Sequence, residues 1–277
     1  MNFTVANPTG LCFGVRRAIE RLELALRENE SVYATGNPIH NPQEVERLAK
    51  LGLKVMASVS EIPDGAAAFI RAHGVSRREY GELKEKCREV IDGTCPFVRH
   101  VHKRAEELDR EGYKIVILGD LDHPEVKGIL GHIDGEALIV KSENRINLRE
   151  RCGRIGILSQ TTQTEAALAA LASKFVFLTE ELRVYNTICR ATVKRQESVK
   201  KLAESVDAVV VVGGRNSANT RALVEISRSS GLDVAWIEHA GELDEGWLRD
   251  KDKIGVAAGG STPDWLVNDL IAKLLRL

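Results

Sequence analysis

Three cysteines in this chain share a setting that the other two lack. The sequence reads GLCFGVRRAIERL around Cys12, GTCPFVRHVHKRA around Cys95 and TICRATVKRQESV around Cys189. Each precedes a helical pattern by two or three residues. Each pattern opens with valine and two basic or imidazole side chains: Val15-Arg16-Arg17, Val98-Arg99-His100 and Val193-Lys194-Arg195. A thiol at a helix N-terminus beside cations is biased toward the thiolate, the form that ligates metal. Three thiolates without a fourth could hold three irons of a [4Fe–4S] cluster and leave the last iron open to a ligand oxygen. Zinc, with three cysteines and a histidine, is the competing metal, although structural zinc sites use short-spaced ligand pairs and the sequence has none. Cys87, in the polar stretch GELKEKCREV, and Cys152, beside a loop, lack this context and read as structural.

Spacings of 83 and 94 residues between the three cysteines make each intervening segment the size of a small domain. The pattern therefore reads as a threefold internal repeat, one cysteine per unit. Lobe boundaries are expected at 1–95, with Cys12 and Cys95 near its ends, at 96–188 and at 189–277, with residues 1–13 free to pack with the third lobe. An odd number of cysteines, five, argues against a disulfide framework and for metal binding, catalysis or burial. The 277 residues are 43% apolar and 29% charged with a net charge of -1, the balance of an ordinary globular protein. Nothing in that balance points to nucleic acid or an anionic membrane. The start of the chain lacks a signal-peptide pattern, and the longest purely apolar run, Ala208–Val212, is far too short to cross a bilayer. A cytoplasmic protein is expected.

Positioning the cysteines requires a scaffold, and the hydrophobic pattern supplies one. Apolar, β-prone runs occur at Ser31–Thr35, Ala67–Ala72, Val90–Asp92, Lys114–Leu118, Ala137–Val140, Arg154–Ser159, Phe175–Leu178, Ala208–Val212, Val234–Ile237 and Ile254–Ala258. Helical stretches at Pro42–Leu51, Arg77–Cys87, Val98–Arg110, Glu165–Ser173, Val193–Glu204 and Arg221–Ser230 separate many of them. Strands apolar on both faces and alternating with helices predict an α/β protein with mostly parallel sheets.

Ligands of such sheets bind beyond the carboxyl ends of the strands, where helix N-termini present free N–H groups. His40 in GNPIHNP, His73 in RAHGVS, Cys95, His123 and Glu125 in GDLDHPEVKG, Thr161 and Thr162 in QTTQT, Ser217 and Asn219 in GGRNSANT, and Ser261 and Thr262 in GGSTPDW all follow apolar runs. Singly, each has a plain structural reading as a loop residue, a helix N-cap or a first-turn acid. Jointly, three histidines, three cysteines, one acid and several hydroxyl or amide groups occupy one kind of position. Imidazoles, hydroxyls, amides and helix N-termini suit a phosphorylated anion. Neither glycine-containing loop is a GxGxxG with its downstream acid, so no nicotinamide or flavin site is expected.

These motifs, with ICRATVKRQE and GVAAGGSTPDWLV, stand in the order found in the 4-hydroxy-3-methylbut-2-enyl diphosphate reductases, and the resemblance runs end to end. It implies three similar α/β lobes, pseudo-threefold around a central Fe–S cavity. It implies that Cys12, Cys95 and Cys189 bind a [4Fe–4S] cluster whose open iron takes the substrate hydroxyl. It also implies that His40, His73, His123, Ser217, Asn219 and Ser261 contact substrate and diphosphate, that Thr162 binds the hydroxyl and positions Glu125, and that Glu125 delivers protons. The reaction so implied is reductive dehydroxylation, with two electrons and two protons, to isopentenyl and dimethylallyl diphosphate, the last step of the methylerythritol phosphate route. A ferredoxin or flavodoxin is the implied donor. One position departs: Ala218 stands where the family usually has a second serine, leaving its backbone N–H to face the diphosphate. An Fe–S redox sensor and a phospholigand-binding module with inert cysteines are the rival readings. Neither accounts for the ordered motifs.

Overall fold

The computed structural model describes residues 2–141 and 152–277. In chain order its strands are β1 (Asn2–Val5), β2 (Val32–Thr35), β3 (Leu53–Met56), β4 (Ala67–Ile70), β5 (Glu89–Asp92), β6 (Lys114–Leu118), β7 (Ala137–Val140), β8 (Cys152–Ser159), β9 (Thr179–Val184), β10 (Ala208–Val212), β11 (Asp233–Ile237) and β12 (Lys253–Ala258). The helices are α1 (Phe13–Glu28), α2 (Pro42–Lys50), α3 (Arg77–Lys86), α4 (Pro96–Arg110), α5 (Pro124–Leu130), α6 (Glu165–Phe175), α7 (Arg190–Ala203), α8 (Ala218–Ser229), α9 (Glu245–Leu248) and α10 (Asp264–Arg276). The strands form three four-stranded sheets, ordered β1-β12-β10-β11, β3-β2-β4-β5 and β7-β6-β8-β9. Every strand pairing among the described residues is parallel. The expected α/β class with three lobes is the one observed.

The chain divides into two compact units. One comprises Met1–Arg16, Ile39–Arg47 and Arg190–Leu277 and contains the first of these sheets. The other comprises Arg17–Pro38 and Leu48–Cys189 and contains the remaining two.

A parallel sheet needs helical crossovers and so is covered on both faces, which is why its inner strands are apolar throughout. In the first unit all five residues of β10 are buried, and the two-residue period of a strand divides them. Val210 and Val212 share a core with Leu266, Leu270 and Leu274 of α10. Val209 and Val211 face Leu202 of α7 and Leu223 and Val224 of α8. In the second unit α4 lays Val101, Ala105 and Leu108 onto Ile115 and Ile117 of β6 and Leu158 of β8. Val126 and Ile129 of α5 complete that core.

Four sequence expectations need correction. The apolar run Phe175–Leu178 is not a strand: Phe175 closes α6 with its side chain fully buried, and Phe177 is 88% exposed. The strand is the polar Thr179–Val184, which lies at a sheet edge where no apolar pattern is required. The edge strands β1 and β3 carry no strong pattern for the same reason. Cys87 is not inside a helix but caps α3 in extended conformation. Cys12, Cys95 and Cys189 immediately precede α1, α4 and α7, rather than standing two or three residues ahead of them. Cys152 opens β8, and its side chain lies outside the described ones. No helix among the described residues is long and apolar enough to cross a membrane.

Ile117 is completely buried at the centre of the α4–β6 core. Ile117→Ala should therefore cost about 2–5 kcal/mol and lower the midpoint of urea denaturation followed by circular dichroism. An unchanged midpoint would mean that this core does not govern unfolding.

Candidate active site

In the first unit the carboxyl ends of β10 and β12 and the segment before α1 bring five of the expected residues together. Ser217 is the N-cap of α8, its hydroxyl accepting the Thr220 N–H at 3.2 Å. The Ser261 hydroxyl lies 3.3 Å from the Ser217 oxygen and 3.3 Å from the His40 carbonyl. Gly214 makes room for that carbonyl, since a Cβ there would stand 2.4 Å from it. A Cβ at Gly260 would lie 3.4 Å from Asn219 Nδ2 and 3.7 Å from Cys12 Sγ, so the cysteine and the amide flank one turn.

The residues before α1 are held three times over. The Cys12 N–H donates to the Gly260 carbonyl at 2.9 Å, Arg195 donates to the Gly10 carbonyl at 2.7 Å, and the Leu11 N–H donates to Asp264 at 3.3 Å. The His40 loop is anchored by the start of α2. Asn41 accepts the Glu44 N–H, while the buried Glu44 carboxylate accepts from Trp265 at 3.1 Å and from Arg47. Ala218 is the first residue of α8, where a backbone N–H lies outside the helix's own ladder.

Asn219 gives this group its chemical direction. It is 8% exposed, and neither atom of its amide has a hydrogen-bond partner among the described residues. Burying such a group unpaired costs about 1–3 kcal/mol. An anion at the N-terminus of α8 would satisfy the amide nitrogen alongside the helix N–H groups.

The second unit holds a different cluster. The Cys95 N–H donates to the carbonyl of Ala72 at 3.0 Å, which fixes the cysteine beside the His73 segment. The rings of His73 and His123 meet edge to face, with centroids 5.5 Å apart. His123 is the N-cap of α5, and its Nδ1 accepts the Glu125 N–H at 3.1 Å. A neutral ring accepting at Nδ1 carries its proton on Nε2, so that edge is a donor.

Glu125 is 2% exposed. Its Oε1 accepts the Thr161 N–H at 2.6 Å and its Oε2 the Thr161 hydroxyl at 2.9 Å. Both bonds favour the carboxylate, yet desolvation outweighs them and pushes the group up to about 7. The carbonyl of Thr161 accepts the Cys189 N–H at 2.9 Å, so one threonine joins the acid to a cysteine.

The assignment of Thr162 to positioning Glu125 is therefore not what the structure shows. Thr161 does the holding, and the Thr162 hydroxyl accepts from Gln160 Nε2 at 2.9 Å. Sequence reasoning also passed over Glu44 and Gln160. The Asn41-x-x-Glu44 spacing, an N-cap residue followed three later by an acid, was the available signal for the first. Gln160 lies within QTTQT, but nothing in its type marks it as a brace.

Comparison with known proteins places this geometry among relatives. A family model described as LytB protein matches residues 3–275. The 4-hydroxy-3-methylbut-2-enyl diphosphate reductase of Aquifex aeolicus (strain VF5) is 40% identical over 281 residues, covering 100% of this chain and 97% of the relative. That of Geobacter sp. (strain M21) is 40% identical over 274 residues, covering 99% and 97%. Among solved structures, an (E)-4-hydroxy-3-methyl-but-2-enyl diphosphate reductase described as the terminal enzyme of the non-mevalonate pathway aligns with TM-score 0.73 at 39% identity, covering all of both chains. The E-1-hydroxy-2-methyl-but-2-enyl-4-diphosphate reductase of Plasmodium falciparum aligns with TM-score 0.89 at 27% identity, covering 99% of this chain and 87% of that one.

The raised titration of Glu125 has a consequence for stability. Between its ordinary 4.5 and about 7, the unfolded chain has released this proton while the folded chain still holds it. Stability should thus fall as pH rises through that window, by about 3 kcal/mol in all, and stay level above it. Glu125→Gln removes the titration, so the variant should gain on the native chain by that amount across the window. Parallel stability–pH curves for the two proteins would show that Glu125 titrates as it would in water.

Proposed function

The chain belongs to the LytB protein family, and on that premise we propose that it is an oxidoreductase that removes the allylic hydroxyl of 4-hydroxy-3-methylbut-2-enyl diphosphate. Two electrons and two protons convert the substrate to isopentenyl or dimethylallyl diphosphate and water. The observation that carries this reading furthest is Glu125, a buried carboxyl that holds its proton up to about 7. A carboxyl of that strength is a general acid at physiological pH.

In this reading the diphosphate lies at the N-terminus of α8, where Ser217, Asn219, Ser261 and the Ala218 N–H gather, with His40 nearby. His73 would contact the diphosphate, and His123 the substrate and its diphosphate. Glu125 gives its proton to the departing hydroxyl oxygen, and the N–H and O–H of Thr161 stabilise the carboxylate that remains. Thr162 contacts the substrate hydroxyl.

Cys12, Cys95 and Cys189 would hold the [4Fe–4S] cluster. They fit it by donor chemistry: none is half of a disulfide, each is partly exposed, and each immediately precedes a helix. The bound cluster would supply the two electrons and, through an iron without a protein thiolate, a Lewis acid for the hydroxyl oxygen. A ferredoxin or flavodoxin would renew the electrons, in the cytoplasm. In the three-part division at 1–95, 96–188 and 189–277, Cys12 and Cys95 stand near the two ends of the first lobe and Cys189 opens the third.

Anaerobic turnover tests the reading. With the cluster reconstituted and a low-potential donor supplied, donor oxidation should depend on the substrate and yield both five-carbon diphosphates. Glu125→Gln should retain iron and sulfide but lose about 10²–10⁴-fold in kcat, the usual contribution of a positioned acid. Near-native turnover by that variant would mean the proton comes from elsewhere. Ala218→Ser adds a hydroxyl where the diphosphate is bound and should lower KM with kcat little changed; an unaltered or raised KM would count against this placement of the diphosphate.

A further inference from the structure

His102 lies on α4, seven residues beyond Cys95, and so on the same face two turns along the helix. It is 5% exposed. One edge of its ring is wedged between two glycines. Gly74, the neighbour of His73, has φ +73°, and a Cβ there would stand 2.6 Å from His102 Cε1. Gly128, three residues beyond Glu125 on α5, would bring a Cβ to 3.3 Å from His102 Nε2 and 3.4 Å from the His73 carbonyl oxygen. The ring thus fills the gap between the backbone that carries His73 and the helix that carries Glu125.

Its other contacts brace the same place. The ring stacks on His132, with centroids 4.2 Å apart and planes 23° from parallel. His132 meets the Val75 carbonyl at 3.2 Å through Nε2 and Glu106 of α4 at 2.6 Å through Nδ1. The segment from His73 to Val75 is therefore clamped to α4 by two imidazoles. Burial, and then the neighbouring His132, lower the His102 pKa to about 3, with Glu106, Arg99 and Asp92 acting more weakly, so the ring is neutral. His102 Nε2 is buried without a hydrogen-bond partner among the described residues. An unpaired buried nitrogen costs stability, a cost that the packing of the ring between the two glycines and on His132 must offset.

We propose that His102 is a positioning residue, the spacer that sets how far His73 stands from the His123–Glu125 end of α5; this rests on the reductase reading above. Gly74 and Gly128 are its complement, since a side chain at either would intrude on the ring.

The test uses the cluster-reconstituted protein in four variants: His102→Ala, His102→Phe, Gly128→Ala and the double variant His102→Ala with Gly128→Ala. Iron content, kcat and KM with a small-molecule reductant, and stability as a function of pH are measured for each. His102→Ala should keep its iron but lose about tenfold or more in kcat, with KM little changed, as misplacement of reacting groups produces. It should also flatten the loss of stability between pH 4.5 and about 7, because a slackened α5 admits water to Glu125. His102→Phe, which keeps a flat ring, should recover most of both properties. Gly128→Ala should lower kcat in the native background and raise it in the His102→Ala background, where its methyl refills the gap. A uniform loss of stability at every pH, with kcat preserved in His102→Ala and Gly128→Ala, would overturn the proposal and leave His102 as core filling. The stability curve needs no turnover, so an inactive native protein would sink the reductase reading while the curve still decides the role of His102.

Discussion

Keeping one carboxyl out of water is the constraint around which the second unit is arranged. Glu125 stands in the first turn of a seven-residue helix, where a carboxylate would ordinarily gain from the free N–H groups and the dipole. Instead its side chain is buried, and the neighbouring Val126 and Ile129 seal α5 onto the core beneath. The two bonds from Thr161 hold the carboxyl in place without returning it to an ordinary acidity. Desolvation therefore wins, and the competition is close enough that the proton is exchangeable near neutrality. A dry carboxyl with no hydrogen-bond donors would hold its proton too tightly to act, and one open to solvent would have lost it already.

The first unit is arranged differently. Its core is apolar on both sides of the sheet: the valines of β10 meet helices on both faces. At the carboxyl end of the same strand, the Asn219 amide is buried with no hydrogen-bond partner among the described residues. The two units thus carry different chemistry. One holds a buried carboxyl that exchanges its proton near neutrality, and the other a buried amide beside a helix N-terminus. Braces fix both: Thr161 ties the acid to Cys189, while Gly260 and Asp264 tie the Cys12 segment to the turn beside Asn219.

Much of this was legible in the residues themselves. The inner strands announced themselves because strands buried on both faces must be apolar, and the cysteines stood out because their flanking sequences repeat. The edge strands β1, β3 and β9 were hidden for the converse reason: an edge makes few demands on side-chain type. Phe175 misled because a buried aromatic closing a helix looks the same in sequence as one opening a strand. The choice between Thr161 and Thr162 was beyond a one-dimensional reading. Adjacent threonines after a strand project in different directions, and only the backbone turn decides which reaches Glu125. Gln160 and Glu44 act as braces, and a brace is defined by what lies across from it rather than by its own chemistry.

The pairing of β1 with β12 carries a consequence for how the molecule comes into being. Among the described residues β1 has no other partner in its sheet, and its register with Lys253–Val256 spans nearly the whole chain. Chains emerge from the ribosome N-terminus first. Everything in the second unit, from Arg17 to Cys189, has left the ribosome before β12 is made, so that unit is free to fold early. The segment bearing Cys12 must wait, since Gly260 and Asp264, which anchor it, are made later still. Closing so long a loop is slow as well as late. Cys12 is thus fixed in its place only once the chain is nearly complete, whereas the bonds that hold Cys95 and Cys189, to Ala72 and Thr161, lie within the part made earlier.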